Sequence, residues 1–313
     1  MLSQILRRFA GLLIVMFLVA TMVFFITRLA PGDPAALMLG DLATPEDVAR
    51  LRAVYGLDQP IVVQFVAWLK EVLSGNLGQS IFLQRPVTQA LWERAEPTFF
   101  LALFALAIAA ASGVPAGIAS AVWRGRAIDQ VVSALSMLAA NIPSFWLGLI
   151  FIQMFAVKLG WFPVAGYGPP DASFLERLNH LLLPAAVLGI VNSAMITRFT
   201  RASMLDVLDS DYVRTARAKG MPEPVVVLRH AFGNALVPVI TVVGLTLALL
   251  IGGAVVTETV FGLPGIGNLV VSAVLRRDYP VIQGALLVVA GIYVLINLAV
   301  DIIYTFVDPR VRY

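Results

Sequence analysis

Long uncharged runs alternate with short charged stretches along this chain. A helix that crosses a bilayer needs about 20 apolar residues. Six stretches meet that length: 9–27 (FAGLLIVMFLVATMVFFIT), 98–123, 130–157, 178–197, 235–257 and 279–300. A seventh, 259–275, is uncharged but shorter, and Gly262, Pro264, Gly265 and Gly267 interrupt it. It reads as a surface or re-entrant connection rather than a span. The pattern predicts an all-α polytopic membrane protein with six transmembrane helices.

A longer polar segment, 31–97, separates the first two runs. Two helical patterns stand out in it. TPEDVARLRAVYG has Thr44 placed as an N-cap and Pro45 at the first helical position. VVQFVAWLKEVL follows, and SGNLGQS then reads as a turn. The expected organisation is 1–30 as N-terminus and first span, 31–97 as a small helical insert, and 98–313 as a core of spans 2–6. A loop at 206–235 interrupts that core.

Composition agrees with the span pattern. Hydrophobic residues make up 59% and charged residues 13%, against roughly 25% charged in soluble domains. The mean hydropathy is +0.89. A soluble core has no room for that much apolar surface. Arg7 and Arg8 precede the first run, as in a signal peptide. That run, however, exceeds the usual apolar region of about 7–15 residues, and no small-residue cleavage site follows, so a retained helix is expected.

Basic residues set the expected orientation. Arg7, Arg8, Arg124, Arg126, Arg198, Arg201, Arg214, Arg217, Lys219, Arg229, Arg310 and Arg312 flank the spans on one side; the short opposite loops carry Lys158, Arg177, Arg276 and Arg277. The positive-inside rule then puts both termini and the 206–235 loop on the cytoplasmic side of the membrane, with 31–97 outside. The same rule accounts for the basic pI of 9.4 without nucleic acid.

Catalytic constellations are missing. The chain has no cysteine and two histidines, His180 and His230, with no HExxH or carboxylate pair beside either. None of Lys70, Lys158 and Lys219 sits in a phosphate-binding loop. The expectation is a non-catalytic chain with no metal or other cofactor of its own. Polar residues inside the spans are sparse: Asn141, Ser144 and Gln153; Asn192, Ser193 and Thr197; Thr241 and Thr246; Asn297; and Glu258 and Asp301 at span ends. Such groups usually face a bundle interior or a water-filled path. Singly they fit helix–helix hydrogen bonding; as a set, Asn141, Ser144, Gln153, Asn192, Ser193, Thr241, Thr246 and Glu258 fit a path for a polar solute. Pro115 and Pro143 are placed to kink helices beside it. The glycines of IGG (251–253) permit close packing, within this chain or with a second subunit.

The segment YVRTARAKGMPEPVVVLRHAFGN (212–234) is basic and amphipathic between two apolar runs. VRTARAK favours a helix, Gly220 ends it, and Pro222 and Pro224 start a second, PVVVLRHAF, closed by Gly233. Val225, Val226, Val227, Leu228 and Phe232 are too apolar to face only water. Two short helices at an angle, basic on one side and apolar on the other, suggest a docking element for a soluble partner.

This segment resembles the cytoplasmic EAA loop of binding-protein-dependent ABC importer permeases, in the peptide/nickel branch. Arg214-Thr215-Ala216 occupy the first three places and Gly220 matches the glycine. Arginine stands where the general loop has glutamate, and Phe232-Gly233 where it has Leu-Pro. Further signatures of the branch follow in order: LRRF (6–9), PGDP (31–34), YGLDQP (55–60), GNLGQS (75–80), RPV (85–87), PSFWLG (143–148), LGWFP (159–163), LLPA (182–185), RASMLDVL (201–208), FGLPGIG (261–267), RRDYPVIQG (276–284) and DPRVRY (308–313). The resemblance implies the type I importer permease fold and a subunit that moves di- or oligopeptides, glutathione or nickel by alternating access. It implies a second homologous permease, two cytoplasmic ATPases carrying ATP and Mg, an external solute-binding protein and membrane lipid as partners, and it implies that the membrane is the bacterial inner membrane. Asp211, Tyr212, Arg214, Thr215, Ala216, Arg217, Ala218, Lys219 and Gly220 would form the coupling helix, braced by the stretch holding Arg229 and His230. A secondary transporter is the rival of another mechanism. It calls for mid-span charges and inverted repeats, and the sequence offers neither.

Overall fold

The computed structural model describes residues 2–29, 36, 39, 44–54 and 56–307. PGDP (31–34), Tyr55 of YGLDQP, DPRVRY (308–313) with its two arginines, and the side chains of Arg7, Arg8 and Asp301 lie outside the described residues. Among the described residues, five helices are long and apolar enough to cross a membrane, or six if one bent pair counts as a single span. The chain divides into two compact units: Met1–Glu96 with Gly265–Val294, and Pro97–Pro264 with Leu295–Tyr313.

The first unit contains α1 (Leu2–Leu29), α2 (Pro45–Val54), α3 (Ile61–Leu73), α10 (Ile266–Leu275) and parts of α4 (Val87–Val122) and α11 (Tyr279–Val307). Thr44 caps α2 as its sequence predicts. Its Oγ1 accepts from the Asp47 backbone N–H at 3.2 Å, while its own hydroxyl lies 2.6 Å from the Asp47 carboxylate. The Thr44 hydroxyl, with the Thr44 backbone N–H donating at 3.3 Å, holds the Asp47 carboxyl below its ordinary value. Val87, Ala90 and Leu91 pack with Ile266, Leu269, Ala273, Val281 and Ala285 into one core. The 259–275 stretch therefore ends in a ten-residue helix with a buried face. Buried Asp278 ties down the turn after α3, accepting from Ser80 Oγ at 2.5 Å and from the N–H groups of Ile81 and Phe82 at 3.2 and 3.1 Å.

In the second unit α4 continues through Pro97 and Pro115. The expected continuous span 130–157 is instead two arms. Helix α5 (Ala127–Asn141) meets α6 (Ser144–Lys158, its last two turns widened) at 98°. Pro143 explains the break: its ring pushes the preceding residue out of helical conformation, and Ile142 sits at φ −77°, ψ 123°. Helices α7 (Phe174–Leu208), α8 (Asp211–Ala218) and α9 (Glu223–Val260) follow.

Small residues let α4 and α7 touch through their backbones. A Cβ on Gly117 would lie 2.6 Å from Thr200 Cβ and 2.7 Å from the Thr197 carbonyl oxygen; one on Gly113 would lie 2.9 Å from the Ser193 carbonyl. By contrast, nothing lies within 4 Å of a Cβ at Gly252 or Gly253. The IGG glycines of α9 thus face no close neighbour among the described residues.

Candidate functional site

The charged segment between α7 and α9 folds as one short helix and a turn, and both are tightly held. Ser210 starts α8, whose residues divide cleanly by face. Val213 and Ala216, three apart, are buried; Asp211, Tyr212, Arg214, Thr215, Arg217, Ala218, Lys219 and Gly220 are exposed. Val213 and Ala216 enter a core with Ala121, Met204, Leu208, Val226, Val227, Ala231 and Ala235. Burying a valine of this kind stabilises by about 1.5–3 kcal/mol. Ala216, expected from sequence as part of the coupling helix, lies on its buried face. Val213 is its unforeseen companion, and the i, i+3 spacing was the signal available.

Gly220 ends α8 at φ +74°, a conformation that costs most residues about 1–2 kcal/mol. The cap has two hydrogen bonds. Gly220 N–H donates to the Arg217 carbonyl at 2.9 Å and Met221 N–H to the Ala216 carbonyl at 3.4 Å, with Met221 packing on the core below. Arg217 then reaches across the turn. Its Nε and Nη2 donate to the two Glu223 carboxylate oxygens at 3.2 and 2.7 Å. That paired carboxylate holds the Arg217 guanidinium above its ordinary value.

The second half of the segment differs from expectation. PVVVLRHAF is not a separate helix closed by Gly233 but the first turns of α9. Gly233 has φ −56°, an ordinary helical value, so it has no reason to stop the chain. Turns 226–232 are widened by one residue and carry Val226, Val227 and Ala231 inward. Arg229 is exposed, while His230 is half-buried with Nε2 unpartnered among the described residues. Helix α8 and the first turns of α9 thus share one buried core.

A second brace joins neighbouring loops. Arg201 near the end of α7 donates from Nε and Nη2 to buried Asp129 at 2.8 and 2.9 Å. Asp129 also accepts from Ser120 Oγ at 2.5 Å and from Gly125 N–H at 2.9 Å. One carboxylate thus collects the ends of α4, α5 and α7. Arg124 adds an exposed ion pair to Asp209 at 3.6 Å.

Most of the intramembrane polar residues hydrogen-bond within their own helices. Asn141, Asn192, Thr241 and Thr246 each hydrogen-bond to the carbonyl four residues back, and Ser193 to the one three back. Asn141 and Gln153 are exposed, and Ser144 is half-buried. Glu258 differs from the rest. It is wholly buried, accepts from Thr98 Oγ1 at 2.5 Å, and its carbonyl accepts from Leu263 N–H at 2.8 Å where α9 ends. Among the described residues no cluster of His, Cys, Asp or Glu is arranged to hold a metal ion.

Comparison with known proteins adds relatives over the whole chain. Residues 113–313 match the model of the binding-protein-dependent transport system inner membrane component, and residues 1–99 match the model of its N-terminal part. A putative peptide transport system permease protein of Brucella abortus is 48% identical over 313 residues, covering 100% of each chain. A probable peptide ABC transporter permease protein of Sinorhizobium fredii is 46% identical, covering 99% of each. A glutathione transport system permease protein of Salmonella typhi is 42% identical, covering 100% of each. Among solved structures, the inward-facing MetNI methionine ABC transporter aligns with a TM-score of 0.59 at 19% identity, over 70% of this chain and 97% of that one. An amino acid ABC transporter solved with histidines aligns at 0.51 and 15% identity, over 72% and 95%. At such identities the structures speak for the fold alone.

Proposed function

The chain belongs to the binding-protein-dependent transport system inner membrane components, and from that premise we propose that it is the permease subunit of an ATP-driven peptide importer, with 211–220 as the point where force enters. It is a multi-pass inner membrane protein. Relatives named for peptide transport, alike over their full length, support di- or oligopeptides as cargo. The relative named for glutathione, itself a tripeptide, favours that molecule as the second candidate.

The observation that carries the coupling role is the braced elbow. A handle must present an exposed polar face to its partner yet transmit displacement to the spans. Helix α8 has both properties. Its basic face is exposed, its apolar face is sunk in the α7–α9 core, and the Arg217–Glu223 fork closes the turn. In this reading both termini and α8 face the cytoplasm. Two ATPases supply ATP and Mg, a second permease completes the pathway, and segment 31–97 meets an external solute-binding protein. ATP-driven approach of the ATPases draws the two α8 elements together and tilts α7 and α9, alternating access. This chain contributes position and motion; the bond-breaking chemistry lies in its partners.

Replacing Arg214, Arg217 and Lys219 together by glutamine tests the role. Expected is loss of ATPase co-purification and uptake with the subunit still in the membrane. Survival of both activities would refute it.

A further inference from the structure

The first unit contains a cavity of about 700 Å³ between the end of α1, helix α3, the 76–84 turn and the start of α11. Arg28, in the last turn of α1, is half-buried on its wall. The guanidinium lies 5.2 Å from the centre of the Phe24 ring, and Nη1 donates to the Gln64 side-chain oxygen. Gln64 is itself fixed, donating to the carbonyls of Leu57 and Gln59 at 3.1 and 2.7 Å. Among the described residues Gln64 is the one hydrogen-bond partner of Arg28, and no carboxylate pairs with it. A half-desolvated cation held open to a cavity calls for an anion.

Helix α3 indicates where that anion comes from. Phe65 packs against Phe17, Phe24 and Phe25 of α1, with ring centres 6.2, 5.3 and 6.1 Å apart, and Trp68 lies 5.4 Å from Phe24. Phe17 precedes Arg28 by eleven residues, about 16 Å along a helix. Helix α3 thus lies alongside the apolar part of α1, below the level of Arg28. Its outer residues Val62, Val66 and Leu73 are exposed at 66%, 44% and 79%. Leu18, Met22 and Ile26 of the span itself are likewise exposed. Aqueous exposure of such a face is unfavourable, whereas acyl chains fit it.

We propose that Arg28 and this cavity hold the phosphate of an anionic membrane phospholipid, with the outer face of α3 seated among the acyl chains. The guanidinium takes the phosphate oxygens, Trp68 and Tyr279 line the pocket at headgroup depth, and the diacyl tail leaves along Val62 and Val66. Glu71 also lines the cavity, its carboxylate accepting from Asn76 at 2.7 Å. Its charge disfavours a dianion, so a phosphodiester of the phosphatidylglycerol type fits better than free phosphate. The site stands apart from the transport reading; only its assignment to the outer leaflet rests on the topology proposed above.

The test uses the full chain purified in its complex. Native mass spectrometry compares retention of phosphatidylglycerol and phosphatidylcholine by wild type, Arg28→Gln and Arg28→Lys, with glycerol 3-phosphate as the soluble competitor. In parallel a single nitroxide is placed by Val66→Cys, which the cysteine-free sequence permits. Expected are selective phosphatidylglycerol retention in wild type, at least a fivefold loss in Arg28→Gln, partial recovery in Arg28→Lys, and no displacement by glycerol 3-phosphate. The nitroxide should be reached by oxygen and shielded from a water-soluble nickel chelate. Equal retention by Arg28→Gln, or free chelate access at position 66, would overturn the proposal. Failure of uptake or ATPase binding bears on the transport reading alone.

Discussion

Arg201 grips Asp129 with two hydrogen bonds of 2.8 and 2.9 Å across 72 positions of sequence. Asp129 is almost wholly buried, and Ser120 and Gly125 complete its coordination. Its carboxylate is therefore the joint on which three helix ends meet.

Removing one side of that pair strands the other. Asp129→Ala should destabilise the subunit by about 2–4 kcal/mol, somewhat under the range for a fully buried pair because Arg201 keeps some solvent. The double change Asp129→Ala with Arg201→Met should be less damaging than Asp129→Ala alone. Thermal unfolding of the purified complex reads both. Equal losses would mean that Arg201 left without Asp129 carries no penalty of its own.

The buried face of α8 and its cap make separable contributions. Val213→Asp should release α8 from the α7–α9 core and abolish ATPase association. Gly220→Ala meets no steric obstacle, since nothing lies within 4 Å of the added Cβ. Its cost is conformational, about 1–2 kcal/mol, and should appear as a lower melting temperature with the complex still assembled.

Much of this arrangement could be seen in the sequence. Uncharged runs mark the spans because lipid excludes charge, and Gly220 marks the end of α8 because few other residues adopt its conformation. Gly233 misled because a glycine ends a helix only when its backbone turns left-handed, and here it does not. Pro143 announced a bend but not its size, which depends on Ile142 becoming extended. The Asp129–Arg201 and Thr98–Glu258 pairs were invisible: their partners are 72 and 160 residues apart, and only folding brings them together. Most of the polar span residues bond to their own helix, a contact that their polarity alone did not announce.

Glycines of like appearance should differ in effect. Gly117→Val drives a branched side chain into Thr197 and Thr200 and should prevent stable accumulation of the chain. Gly253→Leu meets nothing among the described residues and should leave the chain's stability within about 1 kcal/mol. If α9 packs there on a second subunit, one of the two uses the sequence allows for these glycines, that variant should weaken heterodimer recovery instead. Size-exclusion profiles of co-expressed subunits distinguish the two.

The Arg217–Glu223 fork is half-exposed, so its direct worth is small, about 0.2–1 kcal/mol. Its role in the proposed mechanism is stiffness. Arg217→Glu should lower substrate-stimulated ATP hydrolysis with little change in melting temperature, and adding Glu223→Arg should restore it in part. Failure of the swap to recover any coupling would remove the fork from the mechanism.

Ala218 is exposed on the basic side of α8, and its replacement by cysteine carries a photoreactive benzophenone into the assembled complex. Irradiation of inside-out vesicles should join this chain to an ATPase subunit, and added ATP should change the yield. Labelling of position 218 only from the external face, or photoproducts that never contain an ATPase, would contradict the central claim that α8 is the handle by which a separate motor moves the spans.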